Sequence, residues 1–300
     1  MRCFVCCSVT RLFARWLLVV GLAGAPSAWG ASNFNSTNSL SWGANIGWLN
    51  WRGDGDRSAG IDPYICVGFI YSPNVGWINL GNGTPANRAA YQNNSATDFG
   101  VNVDAQGNLR GLAYGANIGW INFEATGLPR LDLRTGRLSG HIYSANTGWI
   151  ALGDSTSALQ LDFLPAGGDS DGDGIPDAWE INAAGGLAVL GANNDADKDG
   201  SSDLEEYLAD TNPLDPSDHL RILQFSLAAH NSVATLTWTT RSTRLYTVQT
   251  RLGLSPSDAW VDSGLGLLTP NGTTLSRDLP GGASGEQRYF RIQAVRPLSR

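Results

Sequence analysis

The sequence predicts a mainly β protein. We expect an N-terminal β-repeat domain, a short loop-helix segment in the middle and a C-terminal β-sandwich. The 300 residues include 37 Gly and 11 Trp, which suits many short strands joined by tight turns. A short motif recurs four times in the first half, and residues 219–300 contain several strand-like runs separated by Gly, Pro and Asn. Hydrophobic residues make up 42% of the chain, enough to build real cores.

The first 30 residues have the pattern of an export signal. Arg2, Arg11 and Arg15 supply positive charge, and an apolar run follows that is too short to span a bilayer. Ala28 and Gly30 place small residues at a cleavage site, so the mature chain would begin at residue 31. The sequence therefore predicts a secreted or cell-surface protein without a later membrane span.

Residues 31–153 are predicted to form the β-repeat domain. Four copies begin with an aromatic residue, pass through an Asn-containing turn and end in a Gly-Trp strand. They are residues 42–50, 71–79, 114–122 and 143–151. One such unit cannot bury its apolar face alone, so the copies must stack or close into a ring. A closed barrel, a small propeller and a layered meander all fit this pattern.

Several positions in this domain have predicted roles. The repeat tryptophans, Trp48, Trp77, Trp120 and Trp149, lie within apolar strands, which favours the core over an exposed sugar-binding surface. The turn asparagines, Asn45, Asn74, Asn117 and Asn146, are expected to be structural. Residues 82–97, which separate the second and third copies, are polar and are predicted to form a surface loop. Cys66 is the only cysteine after the signal, and its apolar neighbours predict a core position.

Residues 169–218 follow a linker at 154–168 and contain two acidic twelve-residue loops, 169–180 and 195–206. Each loop has carboxylates at positions 1, 3, 5, 9 and 12 and Gly at position 6, where a sharp turn is needed. Calcium prefers six to eight oxygen ligands, including one backbone carbonyl at position 7. The sequence therefore predicts two Ca²⁺ ions. The predicted ligands are Asp169, Asp171, Asp173, Ile175, Asp177 and Glu180 in the first loop, and Asp195, Asp197, Asp199, Ser201, Asp203 and Glu206 in the second.

The two loops, with the tail at residues 207–218, resemble bacterial thrombospondin type 3 repeats, which are EF-hand-like calcium-binding segments. The resemblance implies calcium-dependent folding in an exported protein, with the loops acting as a spacer. A short helix is expected after each loop, at 177–181 and 203–209, with Trp179, Ile181, Leu204, Tyr207 and Leu208 in a small shared core. No convincing helix enters either loop, a property shared with dockerins, so a dockerin-like assembly module is an alternative.

Residues 219–300 are predicted to form the β-sandwich, which resembles a fibronectin type III module. The expected strands are 222–227, 234–239, 245–250, 273–279 and 289–295.

The formal net charge is −7, and residues 169–218 contain fourteen acids against one base, which disfavours a nucleic-acid partner.

No catalytic constellation is recognisable, because Ser170 lies among calcium ligands and the three histidines are scattered. The predicted function is a non-enzymatic structural or adhesion protein in which two calcium ions order a spacer between two β-domains. Carbohydrate binding through the repeat tryptophans is an alternative. The expected partner is an extracellular polysaccharide or another surface protein.

Overall fold

The computed structural model describes residues 32–299 except 54, 154–158, 228–232, 254, 256–257 and 281–287. The predicted signal at 1–30 and part of the predicted linker lie outside these residues. The described chain is mainly β with two helices, which confirms the predicted class. The strands are β1 (Leu40–Gly43), β2 (Gly47–Asn50), β3 (Gly60–Ile61), β4 (Cys66–Val67), β5 (Phe69–Ser72), β6 (Gly76–Asn79), β7 (Val101–Val103), β8 (Leu109–Gly115), β9 (Gly119–Phe123), β10 (Arg130–Leu131), β11 (Leu138–Ser144), β12 (Gly148–Gly153), β13 (Ile222–Leu227), β14 (Val233–Thr239), β15 (Leu245–Arg251), β16 (Val261–Asp262), β17 (Thr274–Pro280) and β18 (Tyr289–Val295).

The four sequence repeats form a closed eight-stranded antiparallel barrel. Each repeat is one hairpin, and the strands follow one another around the barrel in the order β1, β2, β5, β6, β8, β9, β11 and β12. The ring closes because β12 pairs with β1, with Ala151 opposite Trp42. Of the three arrangements that fit the sequence, the structure is therefore the barrel. Closure leaves these eight strands without an unpaired edge.

The barrel interior is filled by the residue that follows each repeat tryptophan. These residues, Leu49, Ile78, Ile121 and Ile150, are at most 1% exposed. Successive side chains of a strand point to opposite faces, so the tryptophans point outward. They are 41–52% exposed, and the prediction that Trp48, Trp77, Trp120 and Trp149 belong to the core is wrong. The sequence shows that successive residues alternate between the two faces of each strand. The tryptophan and the residue that follows it are both apolar, so alternation alone does not show which of them points inward.

The four hairpin turns meet at one end of the barrel and seal it. The last turn residue of each hairpin, Ile46, Val75, Ile118 or Thr147, is buried. Each turn asparagine then donates its Nδ2 to the backbone carbonyl of a neighbouring turn. The four bonds are Asn45 to Thr147 (3.0 Å), Asn74 to Ile46 (2.9 Å), Asn117 to Val75 (3.1 Å) and Asn146 to Ile118 (3.0 Å). They form a closed ring, which gives these asparagines the structural role expected of them.

The insertion between the second and third repeats packs more deeply than expected. No strand occurs in residues 80–100, all of which are described, but Tyr91 within them is buried with Ile65 and Val67. Its hydroxyl donates to the carbonyl of Cys66 at 3.3 Å. Cys66 is itself fully buried, as predicted, and burial raises the pKa of its thiol. The insertion is therefore a surface loop in part, and through Tyr91 it also packs against the chain at Ile65, Cys66 and Val67.

The last strands form two three-stranded antiparallel sheets, ordered β13-β14-β17 and β16-β15-β18. The five long strands begin and end within one residue of their predicted positions, and only the short β16 was not predicted. Both sheets contribute to one buried cluster, in which the rings of Trp238 and Tyr246 lie 6.4 Å apart. The outer strand β13 leaves Phe225 half exposed.

The two helices, α1 (Asp177–Ala184) and α2 (Asp203–Ala209), each follow an acidic loop. Their first residues match the prediction, and α1 continues three residues further than expected. Neither described helix has the length and apolar character needed to cross a membrane.

Candidate metal centre

The first acidic loop is curled by hydrogen bonds from its own backbone to its carboxylates. Asp169 at position 1 accepts from the amides of Gly172 (2.8 Å) and Gly174 (2.9 Å). Asp177 at position 9 accepts from the amide of Ser170 at 2.7 Å. Gly174 has a φ of +96°, which L side chains rarely adopt, so the glycine at position 6 is required by the turn.

The second loop repeats two of these three contacts at equivalent positions. Asp195 accepts from the amide of Gly200 at 3.0 Å, and Asp203 accepts from the amide of Ala196 at 3.0 Å. Gly200 has a φ of +99°. Two sequences with different intervening residues therefore adopt one loop conformation, and the shared carboxylate positions dictate it.

Folding brings eight of the ten predicted carboxylates into compact groups, and among the described residues Asp203 and Glu206 belong to none of them. In each group, one ligand-capable atom per residue lies within 4.8 Å of the others. The groups are Asp169 with Asp171 and Asp177, Asp171 with Asp173 and Glu180, and Asp195 with Asp197 and Asp199. Like charges at such distances repel one another, so each group favours a cation between its members.

The glutamates at position 12 of each loop supply independent evidence for cations. Glu180 and Glu206 are both 0% exposed. Among the described residues, both carboxylate oxygens of Glu180 and Oε2 of Glu206 have no hydrogen-bond partner. Burial, followed by the charges of Asp171 and Asp173, raises the pKa of Glu180 to about 7. Burial, followed by the charge of Asp197, raises the pKa of Glu206 to about 8.

Buried, unpaired carboxylates are costly, and side chains of this kind are ordinarily paired or bound to a metal. In the second loop, Oδ2 of Asp197 likewise finds no hydrogen-bond partner in the described part of the chain. The residues present therefore fit a hard cation in each loop, which the glutamate at position 12 would help to hold from the first turn of the following helix. The position-7 carbonyls of Ile175 and Ser201 accept no backbone hydrogen bond from the described chain and can contribute one oxygen each.

The two loops are linked through one dipeptide that the sequence reasoning did not identify. The amide of Gly191 donates to Asp203 at 2.9 Å, and the adjacent amide of Ala192 donates to Asp173 at 3.0 Å. Asp173 belongs to the first loop and Asp203 to the second. A carboxylate from each predicted site thus holds the same short piece of backbone.

The second loop and its helix also contact the C-terminal sheets. Arg244, in the turn before β15, donates to the carbonyls of Tyr207 (2.9 Å) and Leu208 (2.7 Å) at the end of α2. Cations are favourable at a helix C-terminus because the last carbonyls lack intrahelical partners. Nδ1 of His219 lies 2.7 Å from Oδ2 of Asp199. These contacts join loop 2 to the strands that follow.

The expected shared core of the two helices is present in part. The rings of Trp179 and Tyr207 meet edge to face with centroids 5.6 Å apart. Ile181 and Leu204 are partly buried, but Leu208 is exposed and does not belong to the core as predicted. Within the described chain from 159 to 218, no helix enters either loop.

Comparisons with protein-family models, with curated proteins and with solved structures gave no match for this chain. The relationship to thrombospondin type 3 repeats, to fibronectin type III modules and to dockerins therefore stays a prediction from the sequence.

Proposed function

We propose that this is an exported, non-enzymatic protein in which two calcium ions order residues 169–218 as a spacer between a β-barrel domain and a C-terminal β-sandwich. The observation that carries the proposal is the pair of fully buried position-12 glutamates, Glu180 and Glu206, three of whose oxygens have no hydrogen-bond partner within the described ranges. Each lies at the end of a loop whose other carboxylates are already gathered by backbone hydrogen bonds.

Calcium is the best-fitting ion because all candidate ligands are oxygens and each loop offers six residues that can supply them. Magnesium demands stricter octahedral geometry and keeps more of its water. The export pattern at residues 1–30 supports this choice, since extracellular modules bind calcium at roughly 0.1–1 mM. In a chain with one cysteine after the predicted signal, the two ions would act as the missing disulfide staples.

The spacer role is supported by the contacts at both ends of the segment. Arg88 of the insertion donates to Ser170 in loop 1 at 3.3 Å. Arg244 and His219 contact α2 and loop 2 from the other side. Ordering the two loops would therefore hold in place the groups that these residues of the two β-domains contact.

Calorimetric titration of the chelator-stripped protein with calcium tests the proposal. We expect two sites, lost one at a time in Glu180→Gln and Glu206→Gln. Glu205→Gln is the matched control for Glu206→Gln. Glu205 lies next to Glu206 on α2 but is exposed, and a glutamine there keeps an oxygen that can accept the capping-box hydrogen bond. Absence of binding at several millimolar calcium would overturn the proposal.

A further inference from the structure

The outer face of the barrel carries eight aromatic side chains, two from each hairpin next to its turn, which we call the aromatic belt. Each repeat tryptophan faces an aromatic residue across its own hairpin. The pairs are Trp42 with Trp48 (4.8 Å between ring centroids), Tyr71 with Trp77 (4.6 Å), Tyr114 with Trp120 (4.9 Å) and Tyr143 with Trp149 (5.0 Å). Seven of these rings are 38–52% exposed. Exposed apolar clusters of this kind mark binding surfaces.

Amide side chains interrupt the belt at regular positions. Two residues after the tryptophan, and therefore on the same outer face, stands an asparagine in three of the four repeats. The strand register places each opposite the aromatic residue of the next hairpin. The three pairs are Asn50 with Tyr71, Asn79 with Tyr114 and Asn122 with Tyr143. We call each junction between neighbouring hairpins a seam. The fourth seam differs from the other three, because Ala151 lies opposite Trp42.

Each complete seam between hairpins thus presents a tryptophan, an amide and a tyrosine in a row. Oδ1 of Asn50 accepts from the amide of Arg52, and Oδ1 of Asn79 accepts from the amide of Gly81. The Nδ2 groups of these two asparagines make no hydrogen bond to the described residues. Asn122 instead donates its Nδ2 to Glu124. Two seams therefore carry amide donors that a ligand can take up.

The composition of the belt selects among ligands. None of the eight rings or the four residues at the seams is charged. A nucleic acid or another polyanion needs cations to hold its charges, and the chain is acidic overall. A purely apolar partner would leave the seam amides unpaired in the interface. A neutral pyranose satisfies both parts of the surface, because its C–H face packs on an aromatic ring while its hydroxyls accept from and donate to amides.

We propose that the aromatic belt is a binding surface for neutral polysaccharides, with the three seams that contain an asparagine as the sugar subsites. Equivalent seams lie two strands apart, about 10 Å along a sheet, a spacing of the order of a disaccharide. Weak contacts at several seams add up on a repeating polymer through effective concentration. The belt is distant in sequence from both calcium loops, so this proposal stands or falls separately from the calcium proposal.

Affinity electrophoresis through gels containing mixed-linkage β-glucan, xyloglucan, galactomannan or dextran tests the proposal. We expect retardation by at least one of these neutral polymers and none by polygalacturonate. Trp77→Ala, which removes a ring at a complete seam, is expected to weaken binding by about tenfold. Phe225→Ala is the matched control, since Phe225 is similarly exposed on β13, away from the barrel. Circular dichroism and the thermal midpoint show that each variant is folded.

Ala151→Asn supplies a gain-of-function arm, because it completes the fourth seam, and we expect stronger retardation on the same polymer. Retardation by none of the four neutral polymers would overturn the proposal. Equal binding by wild type and Trp77→Ala would also overturn it. If Trp77→Ala changes only the sedimentation coefficient, the belt is a contact between copies of the chain and the polysaccharide assignment is wrong.

Discussion

The barrel and residues 169–218, which we call the calcium segment after the ion proposed for it, are both built from repeats, but different forces hold the repeats together. In the barrel, every hairpin pairs with two neighbours, an apolar residue fills the interior and an asparagine ring ties the turns. In the calcium segment, the most deeply buried side chains include Asp203, Glu180 and Glu206. The barrel therefore contains its own stabilising contacts, whereas the calcium segment buries carboxylates that are costly unless they are paired or bound to a cation. Repetition in a sequence indicates a shared conformation and leaves the source of its stability open.

The largest expected effect lies in the barrel core. Ile121→Ala removes a fully buried side chain from the interior and should destabilise the protein by about 2–5 kcal/mol. Chemical denaturation followed by circular dichroism measures this loss. The loss should be the same with and without calcium, because Ile121 lies in the barrel core cluster and not in the calcium segment. A loss that depends on calcium would show that the two regions are coupled more closely than this comparison allows.

Glu206→Gln should have opposite effects with and without calcium. Without the ion it removes a buried charge next to Asp197, so the stripped variant should be more stable than the stripped wild type at pH 8. With the ion it removes a ligand, and affinity at the second site should fall by at least about tenfold. Calorimetry and denaturation measure the two effects. Equal stability losses in both states would assign Glu206 an ordinary packing role.

Breaking the asparagine ring should cost less. Asn117→Ala removes the part-buried hydrogen bond from Nδ2 to the carbonyl of Val75, for an expected loss of about 1 kcal/mol. Asn122→Ala, in the same repeat but on the outer face, is the control and should change stability by less than about 0.5 kcal/mol. Thermal unfolding distinguishes the two variants, and equal losses would contradict a structural role for the ring.

Proton release gives the smallest and most specific signal. The pKa values of Glu180 and Glu206 in the fold, about 7 and about 8, lie above their unfolded values. The stability of the ion-free fold is therefore greatest below the unfolded pKa values and falls as pH rises from there through the folded pKa values. Calcium binds the ionised forms, so binding at pH 7 should release between about one and two protons, falling toward zero near pH 9.5. Calorimetry in buffers with different ionisation enthalpies counts them. No release at pH 7 would place the glutamates outside the sites.

The sequence predicted the strands well because turn residues and apolar alternation are local signals. The five long C-terminal strands were placed to within one residue at each end. Closure of the barrel is a non-local property, decided by the pairing of β12 with β1 across more than 100 residues, and no local pattern carries it. The orientation of the tryptophans failed for a related reason. Alternation fixes the period, but both Trp48 and Leu49 are apolar, and only the closed barrel selects the smaller residue for its interior.

The grouping of acidic side chains within the loops was predictable, because the twelve-residue pattern repeats carboxylates at positions that a curled loop brings together. Their surroundings were not. The donors from Gly191 and Ala192 carry no side-chain signal, and Arg244 reaches α2 from a distant strand turn. Such contacts depend on where the loops lie in the folded chain, so spacing within the loops cannot reveal them.

Hydrogen exchange with and without calcium tests the central claim most directly. The amides of α1 and α2 should exchange rapidly in the chelated protein and become protected in millimolar calcium. The amides of the eight barrel strands should be protected in both conditions, because backbone pairing and apolar packing hold the barrel closed. Protection of both helices that is the same with and without calcium would contradict the account.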